Sequence, residues 1–186
     1  HFDDKIIKYV NQADEVWHAG DIGKKEIINY LNETKPLKAV FGNIDNKEIR
    51  LITKEFLYFN YEKNKVLITH IAGYPGKYNK NVNRLISIYK PNILVCGHSH
   101  ILKVMYDKKN KHLHLNPGAA GISGFHNIRT MLRFKLDSDK IKELDFGNIT
   151  FDISDFEIEN SKQQFISSGS VINYSFLTPW AALNHV

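Results

Sequence analysis

The stretch Ile93-Leu94-Val95-Cys96-Gly97-His98-Ser99-His100 decides the fold. Ile93 to Cys96 reads as a short apolar strand. Gly97 turns the chain at its end, and two histidines two apart flank that turn, so they readily converge on a metal ion. Upstream, Val82 to Tyr89 reads as a helix and Pro91 starts the approach to the strand. Further back, Phe56 to Tyr61 and Lys65 to Thr69 read as strands around a turn at Lys63-Asn64, the second ending at His70. Earlier still, Leu37 to Phe41 is a strand ending in Gly42-Asn43, and Glu15 to His18 is one ending in Gly20-Asp21. Residues 2–10, 24–32 and 46–52 carry helical spacing between them. Downstream, Ile101 to Tyr106 with His112 to Leu115, and Thr130 to Leu136 with Ile141 to Leu144, read as hairpins. Alternating helix and strand argues for βαβ units with parallel strands, and the later hairpins argue for antiparallel additions. The expected class is therefore a mixed α/β sandwich.

The polar residues repeat one position. Four apolar strands each end in a metal-capable residue: Asp21 after Gly20, Asn43 after Gly42, His70 after Thr69, and His98 with His100 after Gly97. Loops converge at the carboxyl ends of strands in α/β sheets, which is where ligands bind. Glycine before the ligand permits a sharp turn. Each pair alone is ordinary turn chemistry, but the five residues in this order agree across levels. Carboxylate, amide and imidazole together make a mixed oxygen and nitrogen set that suits Mn²⁺, Fe²⁺ or Zn²⁺. Asp21 could bridge two cations. Such a pair polarises a phosphoryl oxygen and generates a hydroxide nucleophile, which is the chemistry of phosphoester hydrolysis.

Composition narrows the class. The chain has 186 residues, 42% of them hydrophobic, enough for one packed domain. No apolar run is long enough to span a membrane. The start of the chain lacks a basic-then-apolar signal pattern. Its single cysteine, Cys96, excludes a disulfide framework and a zinc site built on several thiolates. These features favour a cytoplasmic location and no membrane partner. The net charge is +5. That balance suits an anionic partner or simply a lysine-rich solvated surface. Residues 147–186 carry −3 and residues 1–146 carry +8. A domain over 1–146 is expected, with 147–186 a poorly ordered or accessory tail. The rival reading is a segment docking through Phe165, Phe176 and Trp180.

Trp17-His18-Ala19-Gly20-Asp21, Phe41-Gly42-Asn43-Ile44-Asp45, Thr69-His70, Cys96-Gly97-His98-Ser99-His100 and Asn116-Pro117-Gly118 resemble successive motifs of the calcineurin-like metallophosphoesterases. Residues 1–146 are similar to the small bacterial and archaeal phosphodiesterases of the YfcE type. The resemblance implies a four-layer α/β/β/α sandwich of two mixed sheets. It also implies a dinuclear centre with a metal-bridging hydroxide, supported by Mn²⁺ with Fe²⁺, Zn²⁺ or Ni²⁺ as alternatives. Asp21 would bridge the metals, Asn43, His70 and His98 would complete the second site, and His100 would belong to the first. Asn116 to Gly118 would back the site.

Two departures stand out. The family begins with a strand ending in Asp-x-His that supplies two first-site ligands. Here that strand is not seen, and His1-Phe2-Asp3 looks like the segment just after it. The expectation is an N-terminally truncated member lacking its first strand and two ligands, with His1 a weak substitute. Many larger relatives also place a leaving-group histidine where this chain has Ile44 followed by Asp45. That favours low-pKa leaving groups. Asp45, Lys77, Asn116 and His126 are candidate substrate contacts. His112 and His114 alternate along one strand and read as surface or packing residues, or as ligands. Cys96, Trp17 and Phe41 read as core.

The substrate implied is a small phosphoester. A homo-oligomer is compatible, and a nuclease on the basic core is a less favoured variant. The alternative of another class is a non-catalytic protein-interaction scaffold with a degraded metal site. A retromer subunit of this fold is the precedent by resemblance.

Overall fold

The computed structural model describes residues 4–124, 126–138 and 140–148. His1 and nearly all of the tail, with Phe165, Phe176 and Trp180, lie outside the described residues.

The chain opens with α1 (Asp4–Asn11), β1 (Val16–His18), α2 (Lys25–Thr34), β2 (Leu37–Ala39) and α3 (Lys47–Ile52). Then come β3 (Phe56–Tyr61), β4 (Asn64–Thr69), α4 (Lys80–Tyr89), β5 (Ile93–Val95), β6 (Leu102–Asp107), β7 (His112–Pro117), β8 (Thr130–Asp137) and β9 (Lys140–Asn148). The hairpin turn after β3 falls on Glu62-Lys63, one residue earlier than the sequence suggests. Asn64 pairs with Tyr61 and sends its side-chain amide to the Ser138 carbonyl at 2.8 Å, so it belongs to the ladder.

The main sheet has the order β3-β4-β5-β7-β6 and is mixed. β4, β5 and β7 run parallel, and β3 and β6 join as antiparallel edges. Alternation of side chains sorts its two faces. Val66, Ile68, Ile93, Val95, Val104 and Leu115 share one buried cluster. Leu67, Leu94 and Cys96 fall in the other, against Val82, Leu85 and Ile86 of α4. The first cluster is closed by the parallel pair β1–β2 and the antiparallel pair β8–β9, through Trp17, Leu132 and Phe134. The opposite sides of those pairs, Val16, Leu37 and Met131, pack on Ile6, Val10 and Leu31 of α1 and α2. The layers are therefore helix, sheet, paired strands, helix, the four-layer arrangement the family resemblance implies. The second β layer consists, among the described residues, of these two separate pairs.

Burying one such aliphatic side chain contributes roughly 1.5–3 kcal/mol. Packing on both faces of the main sheet therefore holds the loops at the carboxyl ends of its strands in fixed relation. Asparagine caps refine those positions. Asn46 accepts from the Ile49 amide at the start of α3. Asn79 accepts from the Val82 amide at the start of α4. The Asn79 side chain also donates to the Ile71 carbonyl, tying α4 to the loop after β4.

Candidate metal centre

Four loops leave the carboxyl ends of β1, β2, β4 and β5, and their polar side chains meet. His70 Nε2 lies 3.2 Å from Asp21 Oδ1 and 3.0 Å from Asn43 Oδ1. His98 Nδ1 lies 2.9 Å from the same Asn43 oxygen. One ligand atom from each of Asp21, His70 and His98 falls within 4.8 Å of the others. Thus residues separated by as many as 77 positions in sequence bring two oxygens and two ring nitrogens together.

The protonation of His70 tests whether a cation fits. His70 Nδ1 is 2.7 Å from the Ala19 carbonyl, which can only accept, so Nδ1 carries the proton. In the neutral ring, Nε2 then offers a lone pair toward two oxygens that also offer lone pairs. Facing donors of electron pairs repel unless a proton or a metal cation lies among them. The residues fit a divalent metal of the mixed oxygen and nitrogen class.

Backbone geometry aims these groups. Asp21, His98 and His100 have φ of +56°, +68° and +56°, in the left-handed region. Such conformations are uncommon outside glycine, although Asp and His tolerate them better than most residues. Their concentration here is local strain, held by the surrounding packing. Gly20, at φ +94°, has no such penalty, and a Cβ there would lie 2.5 Å from His70 Nδ1.

Asp45 and Asn116 are buried, Asp45 with its oxygens committed to backbone amides and Asn116 to backbone groups and the Ser99 hydroxyl. Asp45 accepts from the Gly23 amide at 2.8 Å and the Gly42 amide at 2.7 Å, joining the loop after β1 to the loop after β2. Asn116 donates to the Gly97 carbonyl and Ser99 Oγ and accepts from the Gly118 amide, bracing the His98 loop. Arg50 of α3 was not singled out by sequence. It donates to the carbonyls of Asp45, Gly42 and Asn43 and stacks on Phe41, 4.5 Å from the ring centre. Its spacing from Gly42-Asn43 was the only signal. His18 was also missed as a site residue. It accepts from the Gly20 amide, and burial holds it below the usual imidazole range, with Asp45 acting the other way.

His100 does not join the four-atom cluster. Its Nδ1 faces His126 Nδ1 at 3.2 Å, and burial, then His126, depresses its pKa. Asp21 is near enough to oppose that shift. Lys77 is exposed, with its ammonium 6.0 Å from the Tyr74 ring centre. His112 and His114 lie on the α4 face of the sheet, both buried, at 2.9 and 3.2 Å from the Tyr78 hydroxyl. They are packing residues rather than surface ones. Cys96 is buried among them, 3.7 Å from His114 Nε2, with its thiol pushed up to about 12.

No curated protein matches the chain significantly. Solved structures do match its fold. A protein described as a novel archaeal phosphodiesterase is 22% identical, with a TM-score of 0.61, over 78% of this chain and 90% of that one. Vps29 complexed with Zn²⁺ from Entamoeba histolytica is 15% identical, with a TM-score of 0.61, over 76% and 80%. A conserved predicted phosphoesterase from Streptococcus pneumoniae TIGR4 is 23% identical, with a TM-score of 0.59, over 78% and 83%. The sequence profile of the calcineurin-like phosphoesterase superfamily domain matches residues 1–139, three quarters of the chain. With that profile, this fold and these strand-end motifs, the chain belongs to the calcineurin-like phosphoesterase superfamily.

Proposed function

We propose that the chain is a metal-dependent phosphodiesterase of the small YfcE type, acting on a small phosphoester. The observation that carries this reading is the meeting of Asp21 Oδ1, Asn43 Oδ1, His70 Nε2 and His98 Nδ1. These four atoms would hold one cation, and Asp21 with His100 would take part in holding a second. Two divalent ions, Mn²⁺ first and Fe²⁺, Zn²⁺ or Ni²⁺ as alternatives, would neutralise charge developing on phosphoryl oxygens and lower the pKa of water. The protein's part is to fix the donor atoms before substrate arrives. Asp45, Asn116 and Arg50 do this by tying the loops together, which spares reorganisation during reaction. Ile44 offers no proton beside Asn43, so diesters with acidic leaving groups are the expected substrates. Lys77 would be the contact for the rest of the substrate, whereas both ring nitrogens of His126 are engaged by His100 and the Gly121 carbonyl.

The test is Mn²⁺-dependent hydrolysis of bis(p-nitrophenyl) phosphate. It is run on this chain and on a form carrying an added Asp-x-His strand ahead of His1. Asp21→Asn should lower kcat/KM by more than about 100-fold, since even partners behind the ligands are worth 10–100-fold. Silence of both forms with every one of these metals would refute the reading.

One observation favours a second reading, a protein-interaction scaffold. Ile44, Ile71 and Ile101 directly follow Asn43, His70 and His100, and all three are exposed, Ile44 by 64%. Apolar side chains beside the donor atoms would suit a partner surface. Failure to take up metal, together with a stable complex lost in Ile44→Ser and Ile101→Ser, would favour it.

A further inference from the structure

We infer that His126 is a positioning residue that fixes which nitrogen of His100 is free to bind. This deepens the metal-dependent reading and rests on it only for its consequence.

A backbone carbonyl sets the state of the first ring. His126 Nε2 is 2.8 Å from the Gly121 carbonyl. A carbonyl accepts and never donates, so Nε2 of His126 carries a proton. In the neutral ring, Nδ1 of His126 is then an acceptor. His100 Nδ1 is 3.2 Å from it. That contact is a hydrogen bond only if His100 Nδ1 carries the proton. His100 is thereby held as the Nδ1–H tautomer, and its Nε2 keeps the lone pair. His70 has the same arrangement, with Nδ1–H on the Ala19 carbonyl and Nε2 turned to the Asp21 and Asn43 oxygens. An imidazole ligand whose other nitrogen donates to a fixed acceptor is held in both tautomer and ring orientation.

The loop from β7 to β8 is shaped for this contact. Thr130 returns it to the site, its amide donating to the Ala119 carbonyl and its hydroxyl to the Pro117 carbonyl. Arg129 Nε donates to the Ala120 carbonyl at 2.7 Å. Gly124, at φ +132°, passes against both rings. A Cβ there would lie 2.5 Å from His100 Nδ1 and 2.9 Å from His126 Nδ1. Only glycine combines that backbone angle with that clearance. The two rings meet nearly edge to face, with centres 5.0 Å apart, so they are not stacked.

The experiment reads the tautomer directly, without activity. Protein carrying ¹⁵N-histidine and stripped of metal is studied by long-range ¹H–¹⁵N correlation near neutral pH, then titrated with Zn²⁺. The wild-type chain should show a pyrrole-like Nδ1 and a pyridine-like Nε2 for His100, and Zn²⁺ should move Nε2. His126→Asn keeps an acceptor near the place of Nδ1 and should preserve the pattern. His126→Phe keeps a ring but no acceptor, and should lose it. Zn²⁺ affinity should fall about 10–100-fold in His126→Phe and be largely restored in His126→Asn. A pyridine-like Nδ1 on His100 in the wild type, or the same pattern in His126→Phe, would overturn the inference. A pyrrole-like Nδ1 that depends on His126, in a protein that binds no metal, would uphold the orienting role and remove the phosphodiesterase reading.

Discussion

Replacing Asp45 separates a structural clamp from a substrate contact. Its carboxylate is 4% exposed and accepts two backbone amides, one from each of two ligand-bearing loops. Hydrogen bonds to a charged group are worth about 1.5–3 kcal/mol each. Asp45→Ala removes both and leaves the buried Gly42 amide without a partner, so a loss of about 3–6 kcal/mol is expected. Asp45→Asn has nearly the same shape but one acceptor. Its amide nitrogen would face one backbone N–H, donor against donor, so a loss of about 1.5–3 kcal/mol follows from one broken bond. The assay is urea unfolding followed by tryptophan fluorescence, with Mn²⁺ affinity measured in parallel. Both quantities should fall together, because the clamp holds the Asp21 and Asn43 loops in relation. If Asp45→Asn unfolds within about 0.5 kcal/mol of wild type, as surface changes do, while kcat/KM drops, the clamp reasoning is wrong and Asp45 serves the substrate.

Three further outcomes can be checked. Gly42→Ala would place a Cβ 2.0 Å from Asp21 Oδ1 and 2.3 Å from its amide, whereas Gly121→Ala meets nothing within 4 Å. Overpacking costs about 1–3 kcal/mol, so thermal unfolding should show a lower Tm and weaker metal binding for the first and neither for the second. Burial lowers the His114 pKa from 6.5 to about 4, with His112 and Lys103 adding to the shift, Asp107 opposing it, and Tyr78 and Cys96 bonded to the ring. Below pH 6.5 the unfolded chain takes up a proton that the folded chain refuses. The stability is therefore fully present above 6.5 and is lost as pH falls toward about 4, by about 3 kcal/mol in all. Urea midpoints should fall across that window, and the slope should flatten in His114→Gln. Finally, Cys96, with its thiol near 12 and 1% exposed, is a thiolate in only about one molecule in ten thousand at pH 8. Iodoacetamide should leave it unmodified in the folded chain and label it fully in denaturant.

Much of the site was legible because metal chemistry restricts residue types strongly and strand ends are visible as breaks in apolar runs. Asp21, Asn43, His70 and His98 each come after such a break, and the structure gathers them. Asp45 and Asn116 had the right chemistry and the right neighbourhood for substrate. Sequence does not show that backbone amides and carbonyls occupy their polar atoms, because those partners come from other loops. Arg50 and His18 were missed for the same reason. His112 and His114 alternate like residues of a half-exposed strand, but β7 is an inner strand of the main sheet and α4 covers that face, so both are buried.

By itself, the sequence determined the order of elements, the alternation that sorts each strand's two faces, and the placement of five metal-capable residues at strand ends. These depend on local periodicity and on the few residue types that can turn a chain or bind a cation. Only the tertiary structure decided which atoms face which. It set the Nδ1–H form of His70 through the Ala19 carbonyl and that of His100 through His126. It also put Asp21, His98 and His100 into left-handed backbone conformations. The reason is physical. A hydrogen bond forms or fails within a few tenths of an ångström, and that spacing is set by packing between segments far apart in the chain.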